Sequence, residues 1–262
     1  MRTTKTRARK RLDFAALIVL LVGAACASLY FRLGITTSVV LYLLIPALYL
    51  CWRQKKNYAK IILASTVLTI FGISLDVIGE HNLAWRVPLS SPLLAYPVWG
   101  VTPLGLIAWG FCVAFFTIVF YEHFLDDEKH PALSKYFLYA LIPSTTLFFA
   151  VGLVALFDSR ALNAPYAYLL AFGAAEVPLL MALVRKPALL YKIFLLGVFF
   201  FVVNFIFELT ALTLHQWSFP GQYVGWVRMF GFSFPLEELI LWIALSSPTA
   251  VFYYETFFDD GR

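Results

Sequence analysis

The tetrapeptide Pro235-Leu236-Glu237-Glu238 sets two adjacent carboxylates inside a stretch that is otherwise apolar. Ionisable groups at membrane depth are costly, so they are paired, neutralised or functional. Pro235 has no backbone N–H, which either leaves a carbonyl unpaired or starts a helix afresh. Glu208 and Asp76 stand near the ends of other apolar runs, and Asn204 lies one turn from Glu208 on the same helical face. Several carboxylates in a low dielectric cannot all ionise, which leaves protonated acids beside ionised ones. Such a set suits proton transfer by a general acid and a general base. Trp242 is one turn from Glu238, and Phe234, Phe230, Trp217 and Trp85 are near in sequence. Aromatic faces beside an acid stabilise a carbocation formed by protonation, through cation–π attraction.

The elements that must position these groups are membrane helices. The chain is 61% hydrophobic and 13% charged, with 26 Phe and 14 Tyr, which excludes an ordinary soluble domain. Apolar runs long enough to span a bilayer fall at about 12–31, 36–52, 60–79, 99–121, 135–157, 165–184, 189–214 and 231–254. Pro46, Pro103, Pro143, Pro178 and Pro235 predict kinks within them. The expected fold is an all-α polytopic membrane protein of about eight helices. The N-terminal basic segment followed by Leu12 to Phe31 resembles a signal peptide, but the run is long and lacks a cleavage site, so a retained helix is expected.

The positive charge follows topology rather than nucleic-acid binding. With the N-terminus inside, the cytoplasmic segments hold Arg2, Lys5, Arg7, Arg9, Lys10, Arg11, Arg53, Lys55, Lys56, Lys60, Lys129, Lys135, Arg185, Lys186, Lys192 and Arg262. Only Arg32, Arg86, Arg160 and Arg228 remain for outer loops. The positive-inside rule therefore predicts both termini in the cytoplasm of a multi-pass protein of the cell membrane. On this topology Glu208 lies about 9 Å deep from the outer end of its helix, at 1.5 Å per residue, with Glu237 and Glu238 at similar depth and Asp76 slightly shallower. Cys26, Cys51 and Cys112 sit in or at the ends of helices, with no metal spacing and no disulfide framework.

The sequence also matches itself at a shift of 132 positions. Pro46 falls on Pro178, Lys60-Ile61 on Lys192-Ile193, Asp76 on Glu208, Trp85 on Trp217, Pro88 on Pro220 and Pro103-Leu104 on Pro235-Leu236. With one inserted residue, the segment Phe120 to Asp127 meets Phe252 to Asp260. Four helices per copy predict two parallel repeats, 1–131 and 132–262, with a site at their interface. Where the second copy has Glu237-Glu238, the first has Gly105-Leu106.

Plainer readings stand beside these. Glu208 and Asp76 could face headgroups, and Glu237-Glu238 could complement the dipole at a first helical turn. Trp85 and Trp217 suit an interfacial belt, and His81 and His215 suit loop edges. Glu176, before Pro178, either serves broken-helix backbone or extends the acid cluster.

These features together resemble the integral-membrane lycopene cyclase family, in its heterodimeric or fused form. The resemblance rests on a tandem membrane repeat in which each copy has an acid near a helix end, then Trp, then a Pro-led helix, and covers about 36–127 and 165–260. Asp76, Trp85 and Pro103 carry it in one copy, and Glu208, Trp217 and Pro235-Leu236-Glu237-Glu238 in the other. The family implies a non-redox isomerisation, with no cofactor and no metal, that closes the ψ-end of a linear carotenoid such as lycopene into an ionone ring. Carried onto this chain, Glu237 or Glu238 is the acid, Glu208 the proton partner or base, and Asp76 a supporting group. Trp85, Trp217, Trp242, Phe234, Asn204 and Pro235 would border the substrate, and other carotenoid enzymes would be partners. A carotenoid hydratase and a proton-coupled transporter remain open alternatives.

Overall fold

The computed structural model describes residues 2–54, 58–89, 94–126, 132–185 and 187–259. Lys55, Lys56, Lys129, Lys186 and Arg262, which enter the charge argument, lie outside the described residues, as do Asp127 and Asp260 of the repeat match and position 131 at the division between the copies.

Long apolar helices dominate, as expected for an all-α polytopic membrane protein. They are α1 (Arg2–Phe31), α2 (Ile35–Arg53, with a π turn at Val40–Leu44), α3 (Tyr58–His81), α4 (Leu104–Phe124), α5 (Leu138–Phe157), α6 (Ala167–Arg185) and α7 (Pro187–Thr213). Each of these seven contains a stretch long and apolar enough to cross a membrane. An eighth helical run, α8 (236–257), joins a π segment, Glu238–Leu245, to an α-helix, Ser246–Phe257.

Two of the eight spans begin later than the hydropathy pattern predicts. Residues ahead of α4 and α8 form small antiparallel hairpins, β1 (Pro97–Val98) with β2 (Thr102–Pro103), and β3 (Trp226–Met229) with β4 (Phe232–Pro235). Trp99-Gly100 and Phe230-Gly231 both adopt positive φ, at 53° and 71° and at 51° and 81°. Paired positive φ values twist a chain back on itself with the hand that antiparallel strands require. Pro103 and Pro235 therefore end strands and precede helices instead of kinking them, whereas Pro143 and Pro178 lie within helices.

Matching hydrogen bonds recur 132 positions apart. α3 ends with Ala84 N–H donating to Gly79 O at 2.9 Å, and α7 with Gln216 N–H donating to Ala211 O at 2.8 Å. Leu83 and His215, at φ 58° and 52°, are the left-handed residues of these two caps. Beyond the caps, Arg86 and Ser218 pair as an antiparallel bridge. This end of the bundle, with both hairpins, is here termed the hairpin end.

The opposite end gathers residues from both ends of the described chain. Arg9 donates to Arg53 O at 2.7 Å and Lys10 to Phe124 O at 3.3 Å. The buried Asp13 accepts from Tyr49 (3.0 Å), Arg53 (2.6 Å) and His123 (3.0 Å), tying α1, α2 and α4 together. Across the bundle, the Tyr121 hydroxyl of α4 donates to Glu255 of α8 at 2.5 Å, and Tyr254 of α8 donates to Glu122 of α4. Lys60 bridges Asp259 at 3.1 Å and Glu122 at 3.5 Å and covers the Tyr254 ring, while Lys192 donates to Tyr121 at 3.3 Å and covers its ring. Buried charges here are satisfied reciprocally between the two parts of the chain.

Candidate active site: an aromatic cavity with three acids

A cavity of about 220 Å³ opens between α3, α4, α6 and α8. Its walls are apolar and aromatic, apart from three carboxylates, Asp76, Glu176 and Glu238, and a few hydroxyls. Trp85, Trp217 and Trp242 line it, and so does Trp109, whose ring centroid is 4.5 Å from that of Trp242.

Local backbone geometry separates the two adjacent acids. Neighbouring residues on a helix point about 100° apart, and of these two acids only one lines the cavity. Glu238 takes that place and accepts from the Tyr168 hydroxyl of α6 at 2.6 Å. Glu237 is not among the lining residues and instead accepts the Val224 N–H at 2.6 Å, which fastens the connecting loop to the first turn of α8. Leu236 N–H, donating to Gly225 O at 2.9 Å, completes the fastening.

Glu208 is fully buried behind the cavity wall. One carboxyl oxygen accepts the Trp217 indole N–H at 3.0 Å, the other is buried without a hydrogen-bond partner among the described residues, and the group is near enough to Glu238 for the two acids to interact. This burial leaves no headgroup contact for Glu208. Asp76 is buried on the wall, with no hydrogen-bond partner among the described residues.

The remaining positions expected at the substrate lie elsewhere. Asn204 is off the cavity and reaches the Trp242 and Ile243 carbonyls of the π segment at 3.4 Å, groups whose regular helical partners are displaced there. Phe234 is fully buried in a cluster behind Trp242, and Pro235 closes β4. Neither lines the cavity. His81 pairs with Asn163 at 2.9 Å in the loops and His215 is exposed, both loop-edge placements. Glu176 makes no hydrogen bond to broken-helix backbone among the described residues and instead faces the cavity. Tyr168 escapes sequence reasoning, since one tyrosine among 14 carries no mark of the acid it meets.

Trp85 owes its position to Gly79. A Cβ built at Gly79 would lie 2.4 Å from the Trp85 ring, so only glycine lets the indole lie against α3. The indole then packs edge-on to Tyr168 and Phe172, with centroids 5.1 and 5.3 Å away. In the loop above, Tyr223 donates to Ala84 O at 3.0 Å and accepts from Gly221 N–H at 2.8 Å. Burial pushes the Tyr223 phenol up to about 12, and the nearby Glu238 and Glu237 charges push the same way.

Comparison of the chain with protein-family models, with curated proteins and with solved structures returns no match. The functional reading accordingly rests on the residues and geometry of the cavity.

Proposed function

We propose that the chain is a carotenoid cyclase of the lycopene type, which closes a linear ψ-end into an ionone ring by acid–base isomerisation. The observation that carries this reading is Glu238. It is presented to an apolar, tryptophan-lined cavity, bonded to Tyr168 and with the buried Glu208 close behind it. An apolar polyene fits such walls, and a proton donor among aromatic faces is what carbocation formation needs.

In the proposed reaction Glu238, in its protonated form, transfers its proton to the terminal double bond of the ψ-end. A tertiary cation forms, the neighbouring alkene attacks it, and the positive charge moves into the new ring. Loss of one ring proton to a carboxylate restores neutrality, so the product is an isomer of the substrate. Glu208, which does not line the cavity, acts as the reservoir behind Glu238. Asp76, on the wall and free of hydrogen bonds among the described residues, accepts the departing proton. Trp85, Trp217, Trp242 and Trp109 turn ring faces or edges toward the cationic intermediates.

The proposal includes two parallel four-helix repeats with the cavity between them, a place in the cell membrane with both termini cytoplasmic, and association with the enzymes that supply and use the pigment. Its test is expression of the full chain in a bacterium that accumulates lycopene, followed by chromatography of the pigments. Conversion of lycopene to a ringed product supports the reading. Unchanged lycopene, with the protein verified in the membrane, overturns it.

A further inference from the structure

Farther along the cavity from Glu238, two polar side chains face the apolar space without partners. Glu176 of α6 is 4% exposed, lines the cavity and has no hydrogen bond among the described residues. Thr249 of α8 is 9% exposed, lines the same cavity, and its hydroxyl is likewise unbonded. A helical threonine ordinarily returns its hydroxyl to the carbonyl four residues back. Thr66, Thr69, Thr145, Thr210, Thr213 and Thr256 all do so in this chain, and Thr249 does not. The two helices meet at this level, because Tyr253, one turn beyond Thr249, donates to Ala175 O at 2.9 Å beside Glu176.

Buried polar groups are nearly always bonded, because an unpaired one forfeits its hydration without compensation. Two of them on one cavity wall are accounted for if the ligand supplies the missing partner. The surrounding walls are apolar, so the ligand is apolar there except for a small polar group. A single hydroxyl can donate to a carboxylate oxygen and accept from a threonine hydroxyl at the same time.

We propose that Glu176 and Thr249 form a subsite for the hydroxyl group of a linear isoprenoid alcohol bound in the cavity. Glu176 follows Tyr168, the partner of Glu238, by eight residues along α6, a rise of about 12 Å. The hydroxyl of the ligand therefore lies about that far from the alkene presented to Glu238. The inference rests on the reading of the cavity as an isoprenoid site, but not on whether cyclisation takes place.

The experiment is a binding comparison on the purified full-length protein in detergent, using the fluorescence of Trp85, Trp217 and Trp242 on the cavity wall. The two probes are farnesol and the hydrocarbon in which its hydroxyl is replaced by hydrogen. The wild-type protein is expected to bind the alcohol about tenfold more tightly, the value of one good hydrogen bond to a buried unpaired group. Thr249→Val and Glu176→Leu are each expected to reduce that preference to about twofold or less, with the affinity for the hydrocarbon unchanged as evidence of an intact cavity. Glu176→Gln, which keeps the hydrogen-bonding capacity, should retain most of it. Equal affinity of the wild-type protein for both probes overturns the subsite, as does failure to bind either, or a preference that survives both Thr249→Val and Glu176→Leu. Lycopene conversion is measured separately, so loss of the cyclase reading and loss of the subsite are distinguishable results.

Discussion

Arg86 and Ser218, 132 positions apart, exchange backbone hydrogen bonds in both directions, at 2.8 and 3.0 Å. Each follows a helix cap with the same bonds and the same left-handed residue, so the chain here meets its own counterpart. The bridge brings Trp85 and Trp217, the residues preceding each partner, to the same cavity. One of these tryptophans bonds the buried Glu208 and the other packs against Tyr168, so both contact the surroundings of Glu238.

Glu238→Gln and Glu237→Gln are expected to behave differently although the residues are neighbours. Loss of the cavity-facing acid should lower lycopene conversion by about 10²–10⁴-fold, the usual worth of a general acid. Glu237→Gln weakens only the bond to Val224 N–H, so conversion should stay within a few-fold of wild type while the thermal midpoint falls. Pigment analysis of the two strains side by side checks this, and equal loss in both would remove the distinction.

Replacement of Trp217 by Phe keeps the apolar ring but removes the donor to Glu208. A hydrogen bond to an acidic group is worth about 1.5–3 kcal/mol, so the conversion rate should fall by about 10- to 100-fold with little change in substrate affinity. Steady-state kinetics in proteoliposomes separate the two parameters.

Gly79→Ala should displace Trp85, because the added methyl occupies the space of its ring. Overpacking of this kind costs about 1–3 kcal/mol, read as a lower thermal midpoint, and the Trp85 emission should shift as the indole leaves its contacts with Tyr168 and Phe172.

The loop above the cavity should loosen only in strong alkali. In the folded chain the Tyr223 phenol is held at about 12, above its ordinary value of 10.0, so folding favours the neutral form. That contribution is fully present below about pH 10 and is lost as the pH rises through 12, where the unfolded chain has already ionised. Tyrosinate absorbance followed against pH, with Tyr223→Phe as the reference, should show one late-titrating group.

At the terminal end, Tyr121→Phe leaves the half-buried Glu255 and Tyr254→Phe the buried Glu122 short of one donor. Each should destabilise the chain by about 1–3 kcal/mol without changing the identity of any product. Unfolding in denaturant and pigment analysis check the two halves of that statement.

Hydropathy and charge made the helices legible, since spans of the required length recur and most of their limits agree to within a few residues. The hairpins before α4 and α8 were hidden, because Trp99-Gly100 and Phe230-Gly231 are apolar enough to read as the start of a membrane helix. The acids were legible as energetic anomalies. Which of Glu237 and Glu238 faces the cavity was not, because that depends on the phase of the first turn, set by the strand ending at Pro235 and by the bond from Val224. Tyr168 and the bonding of Asn204 arise from contacts between distant helices, for which no local pattern exists.

The π segment Glu238–Leu245 has a counterpart in sequence length. From Leu104 to Glu122 the first copy runs unbroken as regular α-helix, while from Leu236 to the matching Glu255 the second copy is one residue longer. In a straight helix that residue would turn every later side chain by about 100°. The widened turns absorb it, so the helix works as a coupling between two fixed angular settings. The acid at one end can be aimed at the cavity while Tyr254 and Glu255 at the other stay in phase with α4. Deleting one residue within 239–245 would force a choice between those settings. A proton donor could thus be retuned by indels in this turn, with the anchorage of the helix left alone.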